Sequence, residues 1–146
     1  MARIKLDFTE PTLFIHELSV RITDINYGHH LAHDRLVSML HEARAQFFVA
    51  NGFREHDIEG VGIILADLTV AYKAEAHFGQ VLQIEIAVDE FSRKGCDMLY
   101  RVTCTESGIT VAMAKTGLVF FNYKLRKPVA IPQCFLEILE RPVTTD

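Results

Sequence analysis

Only one stretch of this chain carries a long helical pattern, and that limits what the rest can be. From Asp34 to Ala50, Leu36, Leu40, Ala43, Phe47 and Ala50 recur at spacings of three and four. Val37, Arg44 and Phe48 lie beside them, so the apolar stripe is wide and needs a large apolar surface to cover it. Asp34 is placed to act as an N-cap, and Asn51-Gly52 supplies a stop. The covering surface comes from strands. Residues 13–22 partly alternate, with Phe14, His16, Leu18, Val20 and Ile22 on one face. Residues 61–74 form a Val/Ile/Leu-rich run interrupted by Asp67 and Lys73. Residues 81–91 alternate through Leu82, Ile84, Ile86 and Val88, and 96–104 and 110–123 read as two more strands. Ser92 to Gly95 and Glu106-Ser107-Gly108 are the turns between them. Pro128 and Pro132 bracket a strand-ending segment, and 133–140 suits a short terminal helix. The order is one strand, one long helix, then about four strands in antiparallel succession, an α+β chain. One face of such a sheet can cover one helix. An edge strand and part of the other face stay open, and homo-oligomerisation is the usual remedy.

The bulk numbers agree with a globular protein. At 146 residues the chain favours one domain over 1–146, with no linker or repeat. A domain of this size buries roughly two-thirds of its unfolded surface and needs no metal or disulfide to hold a core. Its net charge of -4 argues against a protein built to neutralise nucleic-acid phosphates, though it leaves room for a small basic patch. Cys96, Cys104 and Cys134 are odd in number with no CxxC pair, so free thiols are expected. No apolar run approaches the roughly 20 residues of a membrane span, and MARIKLDFTE lacks a signal peptide's apolar core. The expected compartment is cytoplasmic.

The busiest segment is Thr23 to Leu36, TDINYGHHLAHDRL, between the first strand and the helix. A metal site, a catalytic site and a plain connecting loop are all open to it. Adjacent histidines such as His29 and His30 rarely converge on one ion, and no HExxH spacing is present, so no metal is expected.

From Val20 to Arg44, VRITDINYGHH…HEAR resembles the hotdog-fold thioesterases, in particular the 4-hydroxybenzoyl-CoA thioesterase-like group. The matching pieces are Arg21, the loop Asp24 to Gly28, and Glu42-Ala43-Arg44. TVAYKAEAHFGQVLQIE (Thr69 to Glu85), FSRKGCDMLYRV and AKTGLVFFNYKLRKPVAIP follow in the family's order, so the resemblance covers roughly residues 13–132. It implies a long helix wrapped by a curved antiparallel sheet, paired into homodimers that often stack as dimers of dimers. It also implies active sites at the dimer interface, acyl-CoA or acyl-carrier thioester substrates, and no cofactor. One departure matters. Where the best-known members carry a catalytic Asp, two residues past the first loop acid, this chain has Asn26. Laid on the loop of the plant acyl-carrier thioesterases, Asn26, Gly28 and His30 stand where Asp, Asn and His are usual.

Thioester hydrolysis needs a polarised carbonyl and an attacking water or carboxylate. Free N–H groups near His33 to Arg35, at the positive end of the helix, suit the first need. For the second, the candidates are Asp24, His30, His33 and the helix acid Glu42, with Asn26 helping to hold a water. Asp34, Asp67, Lys73 and the basic turn Arg93, Lys94, Gly95 are candidate substrate contacts, and the resemblance implies the last four for CoA phosphates. The expected activity is acyl-CoA hydrolysis to free acid and CoA. The Asn26 departure keeps a second reading open, a non-catalytic acyl-thioester-binding protein of the same fold. A hotdog hydratase fits the Glu-Ala-Arg helix end less well.

Overall fold

The computed structural model describes residues 1–141 and the backbone of 144–145. The elements are β1 (Phe14–Ser19), a 3-10 turn (Ile22–Asp24), α1 (His33–Ala50), β2 (Gly62–Tyr72), β3 (Val81–Asp89) and β4 (Gly95–Cys104). After these come β5 (Thr110–Asn122), β6 (Lys127–Pro128), α2 (Gln133–Ile138) and β7 (Thr144–Thr145). One long helix lies against a curved, largely antiparallel sheet, as the resemblance implies. Among the described residues no helix is long and apolar enough to cross a membrane.

The strands are not in chain order. The sheet runs β2-β5-β4-β3-β1-β7, with β6 added to β5. So β3, β4 and β5 form the expected meander, but β2 crosses to the far edge and β1 pairs with β3. The reading of four strands in succession is corrected at this point: β2 and β3 share no ladder. Local periodicity reports that a strand exists and which face it buries. It does not report the neighbour.

The core forms where the inward faces meet α1. Leu82, Ile84 and Ile86 of β3, Met98, Tyr100 and Val102 of β4, and Leu118 and Phe120 of β5 are buried with Leu36, Leu40, Ala43, Phe47 and Phe48 of the helix. The terminal helix is two residues shorter than expected, and its Phe135 inserts between Phe48 at 6.1 Å and Phe120 at 4.9 Å. Two local expectations are corrected. Ile22 leaves the β1 face for the 3-10 turn and is exposed. Asp34 is not the N-cap, because tertiary bonds start the helix earlier: Leu31 N–H donates to the Ala76 carbonyl and Ala32 N–H to the Asp24 carbonyl. The cap position therefore falls on Ala32, with no side-chain cap bond. Asp34 still favours the helix by placing negative charge in its first turn. At the other end Asn51 is the C-cap, its N–H bonded to the Phe48 carbonyl, and Gly52 follows at φ +83°.

α1 packs toward β1 and β3, which leaves the other side of the concave face uncovered. Leu65, Leu68 and Tyr72 of β2 pair with Leu118, Thr116 and Ala112, so they share the helix-facing side of the sheet. They remain more than two-fifths exposed, on a strand that pairs with β5 alone among the described residues.

Candidate active site

The loop before α1 is a tight turn organised by Asn26. Its backbone N–H donates to the His30 carbonyl at 3.0 Å, and His29 N–H returns to the Asn26 carbonyl at 3.0 Å. Its side-chain Oδ1 accepts from Gly28 N–H at 2.9 Å and His30 N–H at 3.4 Å. That leaves only the Nδ2 donors of Asn26 for a ligand. His29 absorbs the turn at φ +64°. Gly28 leaves room for its neighbours: a Cβ there would lie 3.0 Å from His30 Nε2 and 3.3 Å from Asn26 Oδ1, so those side chains would have to shift by a few tenths of an ångström.

Behind this turn is a cavity of about 350 Å³, lined by Asn26, His30, His33, Tyr72, Lys73 and Glu75, with Leu31, Leu36 and Val111 among its apolar walls. It lies between the start of α1 and the far end of β2. The first helical N–H with a partner is that of Leu36, bonded to the Ala32 carbonyl at 3.1 Å. Those of His33, Asp34 and Arg35 are the free donors of the first turn. Tyr72 ties the two walls together, its hydroxyl donating to the His33 carbonyl at 3.1 Å. Burial, and then the Asp34 carboxylate, push the Tyr72 pKa up, so the hydroxyl stays a donor.

His30 is the titratable group best placed in the cavity. Its Nδ1 lies 3.3 Å from the Leu31 carbonyl, which can only accept. In the neutral ring this contact places the proton on Nδ1 and leaves Nε2 as the acceptor nitrogen. Nε2 faces Glu75 Oε1 at 3.8 Å, and the other carboxylate oxygen of Glu75 is 3.8 Å from His77 Nε2. Glu75 was not among the residues singled out from the sequence. The available signal was its place two residues after Lys73, just beyond the end of β2.

The candidates separate into groups. Asn26, His30, His33 and Lys73 come together in the cavity. Asp24 and Glu42 do not join them: both line a different groove of about 670 Å³ beside β1, with Arg21 and Arg35. Asp24 is buried there and accepts from Arg21 N–H at 2.8 Å and from its guanidinium at 3.3 Å. Burial acts to raise the Asp24 carboxyl, and Arg21 outweighs it, holding the group below the usual carboxylate range. Glu42 is exposed and accepts from Gln46 at 3.0 Å. Asp34 opens onto a shallow surface depression with Tyr27 and Arg35.

Asp67 stands on the outer face of the sheet, opposite the cavity. A bulge between Leu65 and Asp67 lets its carboxylate take Gly117 N–H at 3.0 Å and Lys115 Nζ at 2.9 Å. Hydrogen bonding to Lys115 holds Asp67 below the ordinary carboxylate range, although desolvation opposes it. Arg93 and Lys94 lie at the end of the sheet away from the cavity, since Lys94 borders Phe120 while the cavity borders Val111. Gly95 is buried and closes that turn, and a Cβ on it would collide with the Leu118 carbonyl. Its small size serves the close approach of β4 to β5. Among the described residues no group of three or more His, Cys, Asp or Glu side chains is arranged to hold a metal ion.

Similar proteins carry the same architecture. A 1,4-dihydroxy-2-naphthoyl-CoA thioesterase from Synechocystis superposes with a TM-score of 0.80 at 21% identity, over 88% of this chain and 98% of that one. A hypothetical protein from Aquifex aeolicus gives 0.77 at 25% identity, over 86% and 98%. A DHNA-CoA thioesterase from Staphylococcus aureus gives 0.73 at 22% identity, over 86% and 85%. No curated protein sequence matches the chain. The model of the thioesterase-like superfamily matches residues 20–139, which takes in the Asn26 turn, the long helix and every strand from β2 to β6. With its helix, sheet order and loop all inside that match, the chain belongs to the thioesterase-like superfamily.

Proposed function

We propose that this protein hydrolyses acyl thioesters, acyl-CoA foremost, to the free acid and thiol. The observation that carries the reading is the meeting of three features in one cavity. These are the free N–H of His33 at the start of α1, Nε2 of His30, the acceptor nitrogen when the neutral ring bonds the Leu31 carbonyl through Nδ1, and an apolar wall from Leu31, Leu36 and Val111. The substrate carbonyl oxygen sits against the helix N–H groups. A water attacks the carbonyl carbon and gives its proton to His30 Nε2. The N–H groups hold the tetrahedral oxyanion. As the C–S bond breaks, the imidazolium returns the proton to the thiolate. Glu75, 3.8 Å from Nε2, pairs with the imidazolium while it exists. Asn26 contributes its Nδ2 donors to the substrate or water, since its oxygen is held by the loop. Lys73 is placed at the rim for an anionic part of the substrate.

Two copies paired antiparallel along their β2 edges would continue the sheet and cover Leu65, Leu68 and Tyr72, so the working unit is proposed as a homodimer that can stack further. A cytoplasmic setting suits the three free cysteines. The test is release of free thiol from short, long and aromatic acyl-CoAs in the presence of a chelator. His30→Ala is expected to lower kcat about 10²–10⁴-fold, and Glu75→Gln less. Turnover unaffected by His30→Ala would sink the mechanism. A second reading, a non-catalytic thioester binder, is favoured by one observation: the amide of Asn26 can be neither nucleophile nor base, and its oxygen is already engaged. Tight acyl-CoA binding without thiol release would select it.

A further inference from the structure

The outer face of the sheet, opposite α1, is crossed by the N-terminal segment. Met98, Tyr100 and Val102 of β4 point into the core, so Leu99 and Arg101 point outward. On that outer face Leu99, its partner Ala87 and Ala71 of the edge strand are all buried. The segment that lies over this face is residues 1–12, and its anchors follow one row of the sheet, Glu85–Arg101–Met113–Ala71, from β3 to β2. Thr12 Oγ1 donates to Glu85 at 3.1 Å, and Arg101 donates to Glu85 at 2.6 Å and to Glu10 at 3.1 Å. The Phe8 ring centre lies 4.3 Å from the Arg101 guanidinium carbon, a cation–π contact. Leu6 and Phe8 are half-buried, while Lys5 and Asp7 between and beside them are exposed. Past Leu6 the arm reaches the free edge of β2, where Arg3 Nη2 donates to the Tyr72 carbonyl at 2.8 Å.

This last bond is made on the open side of the strand. Lys73 N–H donates to the Val111 carbonyl at 2.8 Å, so Lys73 faces β5 and the main-chain groups of Tyr72 alternate to the edge. Tyr72 is also the last residue of β2, and a strand end with a neighbour on one side only is where a sheet frays first. Its side chain reaches across the cavity to the His33 carbonyl at 3.1 Å, and His33 carries a free N–H of the first turn of α1. A line of contacts thus runs from the arm, through the main chain of Tyr72 and its hydroxyl, to the donors set against a substrate carbonyl. None of residues 1–12 lines the cavity, so the arm acts on it only through Tyr72.

We propose that the N-terminal arm is a clamp on the candidate active site, with Arg3 as a positioning residue that fixes the end of β2 and, through Tyr72, the first turn of α1. The inference rests on the thioester reading of the cavity and adds a residue to it. The match to the thioesterase-like superfamily begins at residue 20, so the arm lies outside what that match covers. Arg3 takes the last edge acceptor of β2 and leaves the earlier rungs for pairing with a second copy. Donors that hold an oxyanion contribute most when they are fixed before the reaction. Loosening His33 therefore lowers kcat, while substrate binding against the apolar wall changes little.

The experiment compares Arg3→Met, which removes the donors, with Arg3→Lys, which keeps a cationic donor. Lys5→Met is the control, a charge-matched change at an exposed arm residue that makes no side-chain bond. On an acyl-CoA that the wild type cleaves, Arg3→Met should lower kcat about two- to fivefold with KM changed less than about twofold. Arg3→Lys should lie between Arg3→Met and wild type, and Lys5→Met should match wild type. Adding Arg3→Met to Tyr72→Phe should lower kcat by less than about 1.5-fold further, because both changes cut the same line. Hydrogen exchange of a peptide spanning residues 31–40, read by mass spectrometry, reports the bonded N–H groups of Leu31, Ala32 and Leu36. It should speed up in Arg3→Met, and also in Phe8→Ala, which frees the arm from Arg101 and leaves Arg3 in place. Exchange needs no turnover, so a wild type that releases no thiol sinks the thioester reading alone, and the clamp is then judged by exchange. Wild-type kcat in Arg3→Met, an equal loss in Lys5→Met, fully multiplicative losses in the double variant, or exchange unchanged in both arm variants would each overturn the proposal.

Discussion

Replacing Glu55 by glutamine removes the charge partner of a guanidinium that α1 carries into the core. The Arg44 side chain is 6% exposed, and its Nε donates to Glu55 at 3.0 Å, while the Glu55 side chain is 25% exposed. Nη1 of Arg44 donates to the Tyr100 hydroxyl at 3.3 Å, and that hydroxyl shares a hydrogen bond with Thr116 at 2.8 Å. The network ties the middle of the long helix to β4 and β5. Breaking a fully buried ion pair from one side costs about 3–5 kcal/mol. An exposed pair is worth about 0.2–1 kcal/mol. Glu55 lies between these limits, and glutamine keeps an acceptor, so Glu55→Gln should cost about 2 kcal/mol. For a chain of this size that is a fall of about 4–8 °C in Tm. Arg44→Met should cost less, about 1 kcal/mol, because methionine fills apolar space and leaves no buried charge. Glu55 can then turn to water while His41 stays 3.5 Å away. The double variant should be more stable than Glu55→Gln alone. Urea unfolding with fitted midpoints and slopes measures all three. If Glu55→Gln changes stability by less than about 0.5 kcal/mol, or Arg44→Met costs more than Glu55→Gln, the buried-charge argument fails.

Four further outcomes follow from the same geometry. Tyr72→Phe removes the hydroxyl that pins the His33 carbonyl to β2, and kcat should fall up to about tenfold with less than about 1.5 kcal/mol lost in urea unfolding. Gly28→Ala pushes a Cβ against His30 and Asn26, so thiol release should drop while the melting curve barely moves. Asp24 has a depressed carboxyl in the folded state, so its stabilisation is present above the ordinary carboxylate range and is lost as pH falls through its folded pKa. Asp24→Asn should flatten the acid limb of a stability–pH curve, and an unchanged limb would show that Arg21 does not hold it. Phe135→Ala, which empties the space between Phe48 and Phe120, should cost about 3–5 kcal/mol in chemical unfolding.

Much of the candidate site was legible because it depends on backbone. The turn before α1, the free N–H groups at its start and the presence of His30 and His33 all follow from where the helix begins. What escaped was direction. Asp24 and Asn26 are two residues apart, yet a 3-10 turn sends Asp24 to Arg21 and a different groove while Asn26 stays by the cavity. Glu75 escaped because it becomes relevant only once the end of β2 is carried beside the loop, where Ala76 accepts from Leu31 N–H. Asp67 read as a ligand-facing acid because the bulge that turns it toward Gly117 depends on the partner strand.

The sequence by itself determined one amphipathic helix, its stop at Asn51-Gly52, the five longer strands, and the alternating faces of β1 and β3. Each of these rests on interactions between residues a few positions apart, which hydrophobic spacing and turn chemistry encode directly. The tertiary structure decided that β2 pairs with β5 rather than β3, that the cap falls on Ala32, and that His30 meets Glu75. It also separated the cavity from the basic Arg93-Lys94 turn by the length of the sheet. Those outcomes depend on which long-range pairing buries the most apolar surface with its backbone bonds satisfied, a sum over the whole chain that no local window contains.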